Sequence, residues 1–166
     1  LLRVAVGLAF KRARLKYIYS ILRGKDLETG QFSEERRIAQ FDLLKDAQRR
    51  TLNLNHWHDF MNCIRMAGFR SSKMISSQAN LLFSYLLYLI GRTEYGIEEF
   101  TLRKTIAQWF FMSAVTGRFT WSPESTMEFD LARLRDVKTS SQFIAKLQQV
   151  CDIALTNDFW ETTLPN

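Results

Sequence analysis

Apolar residues recur at three- and four-residue spacing along almost the whole chain. The first run places Leu1, Val4, Ala5, Leu8, Ala9, Leu15, Ile18 and Leu22 along one helix, 1–22, which ends at Gly24, a residue suited to the left-handed C′ position. A polar turn, Lys25 to Gln31, follows. Ser33 is a good N-cap, and Glu34 and Glu35 stand in the first turn, where the helix dipole favours acids. Apolar residues then fall at Ile38, Phe41, Leu44, Trp57, Phe60, Met61 and Ile64, with neither Gly nor Pro before Gly68. That pattern predicts one long helix, with Asn53 to Asn55 as its point of kinking.

The stretch from Ser77 to Gly91 is apolar on nearly every side, as expected of a helix in the middle of a bundle. Thr93 to Gly96 is a turn, and Glu98 to Thr116 returns as a second helix carrying Phe100, Ile106, Trp109, Phe110, Met112 and Val115, with Gly117 as its stop. Ser122 as N-cap and Pro123 at the first helical position open the next helix, with Met127, Leu131 and Leu134 as its stripe. A last helix starts at Ser140 and carries Phe143, Ile144, Leu147, Val150, Cys151 and Ala154 on one side; Phe159-Trp160 begins a further segment. No period-two alternation longer than a few residues occurs, and no repeat. The expected fold is all-α: a helical bundle of about six helices, with one long helix and a buried central hairpin.

Composition agrees with this reading. The 166 residues suit a single helical domain, 1–166, and only 7 Gly and 2 Pro are few for an all-β or loop-rich fold. The chain opens at Leu1 directly on a helix-like run, and Thr163-Leu164-Pro165-Asn166 carries no tail or anchor signal, so an internal segment of a longer protein is expected. Its most apolar stretch, Ala79 to Ile90, is shorter than the roughly 20 residues of a membrane span. Lys11-Arg12 follow the apolar opening, the reverse of a signal peptide, so no membrane partner is expected. Cys63 and Cys151 are too isolated for a disulfide framework or a zinc knuckle, which suits a reducing, cytoplasmic location.

The formal net charge is +6, and the excess gathers early, at Arg3, Lys11, Arg12, Arg14, Lys16, Arg23 and Lys25. A basic balance favours anionic partners, nucleic acid first, and makes Lys11, Arg14 and Lys16 candidate contacts. A solvated basic helix face is the competing reading.

Material for catalysis is sparse. His56, Asp59 and Cys63 share a helix face at spacings of three and four, but no Cys-x-x-Cys or His-Glu-x-x-His supports zinc, and no metal site is expected. Two histidines in one helical segment give little for a nucleophile–base–orienter arrangement. Glu98-Glu99 sit at a helix start, where the dipole accounts for them. Asp46 to Arg50 lies within an amphipathic pattern, its arginines a solvated face. No catalytic residue and no cofactor are expected within 1–166.

The run Leu102 to Thr120 is distinctive: a helix carrying Trp109-Phe110 leads through small residues into Gly117-Arg118-Phe119-Thr120. It resembles a signature of the GmrSD-type modification-dependent restriction endonucleases, in which a Trp-Phe helix leads to a Gly-Arg-Tyr-Ser-like element; Phe119 and Thr120 are mild departures. Arg70 to Ile75 before an apolar helix, and Ser125 to Leu134 after the motif, are similar to that family's order of elements, so the resemblance covers about 40–147. It implies a helical region between a ParB-like nucleotide-hydrolysing domain, marked by Asp-Gly-Gln-Gln-Arg, and a His-Asn-His nuclease domain. Asp46 to Arg50 lacks the Gly and the second Gln of that element, and no His-Asn-His motif occurs, so neither role carries over.

Within the motif, Trp109, Phe110 and Phe119 read as core packing. Arg118 has two readings: a bond to carbonyls at the helix end near Thr116, or a contact with phosphate or a neighbouring domain. The resemblance implies a non-catalytic scaffold or linker in a DNA-targeting, nucleotide-dependent restriction factor, partnered by flanking domains and DNA. Alternatives are a stand-alone nucleic-acid-binding module on Lys11, Arg14 and Lys16, and a protein–protein interaction bundle using exposed aromatics such as Trp160.

Overall fold

The computed structural model describes residues 1–163 of the chain, leaving the last part of the expected tail, 164–166, outside the described residues. It is all-helical, and eight α-helices form one bundle: α1 Leu2–Phe10, α2 Lys16–Leu22, α3 Glu34–Thr51, α4 Leu54–Met66, α5 Gln78–Thr93, α6 Glu99–Val115, α7 Pro123–Leu134 and α8 Ser140–Ala154. A 3₁₀ turn at Ser72–Met74 precedes α5, and a π-helical turn at Phe159–Thr163 follows α8.

The antiparallel pair α5–α6 is the central hairpin. Helix α5 is buried continuously from Phe83 to Gly91, and α1, α3, α4 and α6 all pack on it. Helix α6 meets α4 on one flank and α8 on the other, burying Leu102, Ile106, Trp109, Phe110 and Met112. Each large side chain fully buried in this way contributes about 1.5–3 kcal/mol. Asn80 supplies the polar joint between the pair: its amide donates to the Phe110 carbonyl at 3.3 Å and accepts from the Ser84 hydroxyl at 3.1 Å. Gly91 lets the two helices close, since a Cβ there would lie 2.5 Å from Leu102 Cδ1.

Most helix starts follow the sequence. Ser33 Oγ accepts from the Arg36 N–H, Ser77 Oγ from Asn80 and Thr139 Oγ1 from Gln142. The carboxylate of Glu98 accepts from the N–H groups of Phe100 and Thr101, an N-cap role that holds its carboxyl below the usual range.

Two of the six expected helices are broken. The long helix divides at Asn53, which turns extended (φ −71°, ψ 114°) and caps the Asn55 N–H of α4 with its own side chain. The Tyr85 hydroxyl, from α5, donates to the Thr51 carbonyl at 2.9 Å and so takes up one of the acceptors freed by the break. The helix over 1–22 divides at Lys11, which adopts the left-handed conformation (φ 52°, ψ 41°). The cause is long-range. Residues 13–15 give their backbone N–H groups to carboxylates on α7 rather than to the preceding helical turn.

Five residues of the predicted apolar stripes lie outside the core, Leu1 and Leu15 near the start of the chain among them. Ile38 and Phe41 on α3 are exposed, as is Phe100 on α6.

Candidate functional site

The distinctive motif folds into the joint between α6 and α7. Helix α6 ends in a Schellman arrangement: the Gly117 N–H donates to the Ala114 carbonyl and the Arg118 N–H to the Ser113 carbonyl at 3.1 Å. Gly117 sits at φ 59°, the left-handed geometry that this ending requires and that glycine adopts without a Cβ clash. The reversal aims Arg118 at α7.

There the guanidinium meets Asp130. Arg118 Nη2 donates to Oδ1 at 2.6 Å and Nε to Oδ2 at 3.2 Å, a bidentate pair whose carboxylate side chain is only 3% exposed. The Arg118 guanidinium also lies 5.4 Å from the centre of the Trp109 ring, so Trp109, Arg118 and Asp130 stack from α6 outward to α7. Burial raises the Asp130 carboxyl above its usual value, and the Arg118 hydrogen bond and charge pull it back only in part. Trp109, Phe110 and Phe119 are buried as expected; Phe119 packs on Phe83 of α5 with ring centres 5.3 Å apart. The expected bond from the Arg118 side chain to carbonyls near Thr116 gives way to the Asp130 pair. Its backbone N–H, not its guanidinium, serves the helix end.

The early cations are placed by a second carboxylate centre on α7. Glu128 accepts from the N–H groups of Ala13 (2.7 Å) and Arg14 (3.1 Å) and from the guanidiniums of Arg12 (3.0 Å) and Arg135 (2.8 Å). Glu124, one turn earlier, accepts from the Leu15 N–H at 3.3 Å and pairs with Arg3 at 3.2 Å. Arg135 further donates to the Lys11 carbonyl at 3.1 Å, which holds the left-handed residue in place. Burial works against the Glu128 charge, but the two backbone donors and two guanidiniums outweigh it and hold the carboxyl below its usual value.

The sequence-predicted basic trio is therefore dispersed in role. Lys11 Nζ pairs with Glu94 at 2.5 Å and donates to the Leu8 carbonyl. The Arg14 guanidinium donates to the Ser125 hydroxyl at 3.2 Å, and the Lys16 ammonium stands 4.9 Å from the centre of the Tyr17 ring. Arg14 and Arg118 both meet α7, at Ser125 and Asp130, whereas Lys11 meets Glu94 at the end of α5. Asp130 and Glu128 went unnoticed in the sequence. Asp130 had a signal, since it occupies a core position of the Met127–Leu131–Leu134 stripe, where an acid implies a buried partner. Glu128 had none.

Between α7 and α8 runs a groove of about 460 Å³, with Arg118, Ser125, Phe129 and Arg133 on one side and Val150 and Ile153 on the other. Phe129 is exposed, and the Arg133 guanidinium lies 4.3 Å from its ring centre. Trp121, just before α7, is 94% exposed.

Other chemical groups are held quietly. Among the described residues no three His, Cys, Asp or Glu side chains are placed to share a metal ion. Burial pushes the Cys63 thiol up to about 12, and burial with the Arg92 charge lowers His56. Asp46 and Arg50 pair within α3 at 2.7 Å, and Arg50 also donates to Thr93 of α5. Trp160 is half-exposed and stacks on Phe111. Among the described residues no helix is long and apolar enough to cross a membrane. No family model, curated protein or solved structure matches the chain.

Proposed function

We propose that this chain is a non-catalytic helical scaffold in a DNA-targeting, nucleotide-dependent restriction factor. It positions flanking domains and adds basic surface for DNA, in a cytoplasmic setting. The observation that carries the reading is the use made of the motif. Trp109, Phe110, Gly117, Arg118 and Phe119 are the residues of the GmrSD-like signature, and all five go into the Schellman turn, the Asp130 pair and the core around the α6–α7 joint. A motif spent on fixing the angle between two helices suits a part that holds others in register. The buried, raised thiols of Cys63 and Cys151 fit the same non-catalytic reading, because thiolates are the nucleophilic form.

A second reading, a stand-alone nucleic-acid-binding module, is favoured by Arg14 and Lys16. Their partners are a hydroxyl and an aromatic ring rather than carboxylates, so their charge is available to phosphate. One set of measurements tests both. The purified chain is expected to bind DNA weakly with a steep salt dependence and to hydrolyse neither nucleotide nor DNA. Hydrolysis by the chain would overturn the scaffold reading. Absence of binding at low salt would remove the DNA component from both. In the parent protein, Arg118→Ala should lower restriction while leaving nucleotide hydrolysis by the separate catalytic domain intact. Unchanged restriction would count against a positioning role.

A further inference from the structure

We infer that the α7–α8 groove is a binding site for single-stranded nucleic acid, taking a phosphate at Arg133 and Arg118 and an unstacked base on Phe129. The inference rests on the nucleic-acid part of the proposed function and locates it.

The floor of the groove is preorganised. Arg118 is clamped by the buried Asp130 carboxylate through Nε and Nη2 and supported beneath by the Trp109 ring, which leaves Nη1 outside the pair. A guanidinium fixed in this way loses little freedom on meeting an anion. Arg133 adds a second positive charge one turn beyond Phe129, and among the described residues it has no carboxylate at ion-pair distance, only the Phe129 ring. Arg14 adds a third at the Ser125 end of the groove. Among the described residues no carboxylate lines the groove: Asp130 is engaged by Arg118, and at the Ser125 end Glu124 and Glu128 are engaged by Arg3, Arg12, Arg135 and the backbone N–H groups of residues 13–15.

The aromatic groups follow the same line. Ser125, Phe129 and Arg133 are spaced by four along α7, which sets them on one face, and the exposed Trp121 precedes the helix. Basic groups interleaved with exposed rings are the arrangement by which proteins hold single strands, phosphates on the cations and bases on the rings. The apolar wall of Val150 and Ile153 gives a base its second face. A duplex presents phosphates but no free base face, so it would use the cations and leave Phe129 and Ile153 idle. An acidic peptide would match the charge, but its carboxylates do not each come with a planar group, as every phosphate of a strand comes with a base.

The test is fluorescence anisotropy of a labelled short oligothymidylate at low salt, with Phe129→Ala and Arg133→Ala against wild type. Both residues are exposed, and unchanged circular dichroism and melting confirm that the variants fold. Each variant is expected to weaken binding roughly tenfold. Lys146→Ala, which removes an equal charge from the exposed face of α8, should change it less than twofold. If wild type binds but Phe129→Ala and Arg133→Ala bind as well as it does, the groove is not the site, while the broader nucleic-acid reading survives. If wild type binds neither oligothymidylate nor duplex, both fall. If polyglutamate of matched charge displaces the oligonucleotide as well as unlabelled oligothymidylate does, the occupant is an acidic protein and the inference is overturned.

Discussion

Arg118 and Asp130 form a two-pronged ion pair, 2.6 and 3.2 Å, across the joint between α6 and α7. The carboxylate is buried and the guanidinium rests on Trp109, so each partner depends on the other to offset its desolvation. Removing Arg118 leaves an uncompensated buried charge. Arg118→Ala should therefore cost about 3–5 kcal/mol at neutral pH in urea unfolding. The replacement Arg118→Met with Asp130→Leu removes both charges and should recover most of that loss. The deficit of Arg118→Ala should also depend on pH. Burial already raises the Asp130 carboxyl above 3.8, and loss of Arg118 raises it further. A raised carboxyl costs stability above its folded value and none below its unfolded value, so the deficit should shrink as the solution is acidified. Equal deficits at neutral and acid pH would contradict the pair as drawn.

Glu128 holds the break between α1 and α2 through backbone donors rather than through side chains alone. Glu128→Gln keeps the shape but removes the charge that four donors share, and should cost about 2–3 kcal/mol. The amides of Ala13 and Arg14 should exchange faster in the variant, while those of α5 keep their protection. Here the pH dependence has the opposite sign. The Glu128 carboxyl lies below its ordinary 4.5, so its contribution is complete above that value and is lost as pH falls through the folded value. Wild type and Glu128→Gln should converge in acid. A constant gap, or amide exchange at Ala13 unchanged, would exclude this role for the carboxylate.

These two carboxylates also mark where the sequence was and was not readable. The central hairpin was legible because Phe83 to Gly91 is apolar all round, a pattern that suits only a helix enclosed by others. The start of α3 was legible from Ser33 and its glutamates, and the end of α6 from Gly117. The break at Lys11 was not, because its cause is Glu128, 115 residues from Ala13. A local pattern cannot report a partner so distant. Asn53 is recognisable in the sequence as a place to bend, but the Tyr85 hydroxyl that takes up the Thr51 carbonyl beside the break lies 34 residues away on α5. Of the site, Trp109, Phe110, Gly117, Arg118 and Phe119 were all singled out. The partner that gives Arg118 its geometry was hidden as one acid among the apolar positions of α7.

Gly91 should not tolerate even one methyl group. A Cβ at that position would meet Leu102 Cδ1 at 2.5 Å and Phe143 Cε1 at 3.2 Å, and both neighbours are themselves fully buried. In an open helix, alanine would gain about 1 kcal/mol over glycine. Overpacking a closed core costs about 1–3 kcal/mol, and with neighbours on both sides the clash should win. Gly91→Ala is expected to lose up to about 2 kcal/mol net, with Leu102→Ala in the same chain returning the space but leaving its own cavity. A more stable Gly91→Ala variant in thermal melting would mean that α5 and α6 are less tightly seated than described.

The two cysteines should be inert in the folded chain for a reason that denaturation removes. Burial pushes the Cys63 thiol up to about 12, against the pull of Arg103, and its Sγ–H donates to the Asp59 carbonyl at 3.5 Å. Cys151 is pushed up to about 11, again chiefly by burial. At pH 8 a thiol near 12 is ionised to roughly one part in ten thousand, and its sulfur is also screened from reagents by the core. Titration with an aromatic disulfide reagent at pH 8 should find almost no reactive thiol in the native chain and two after unfolding in guanidinium. Phe60→Ala would test the cause. Phe60 is fully buried, and truncating it opens the core around α4 and α5, so Cys63 should begin to react while Cys151, across the bundle on α8, stays protected. Rapid reaction of Cys63 in the native wild type would contradict its burial and, with it, the close packing of α4 on the central hairpin.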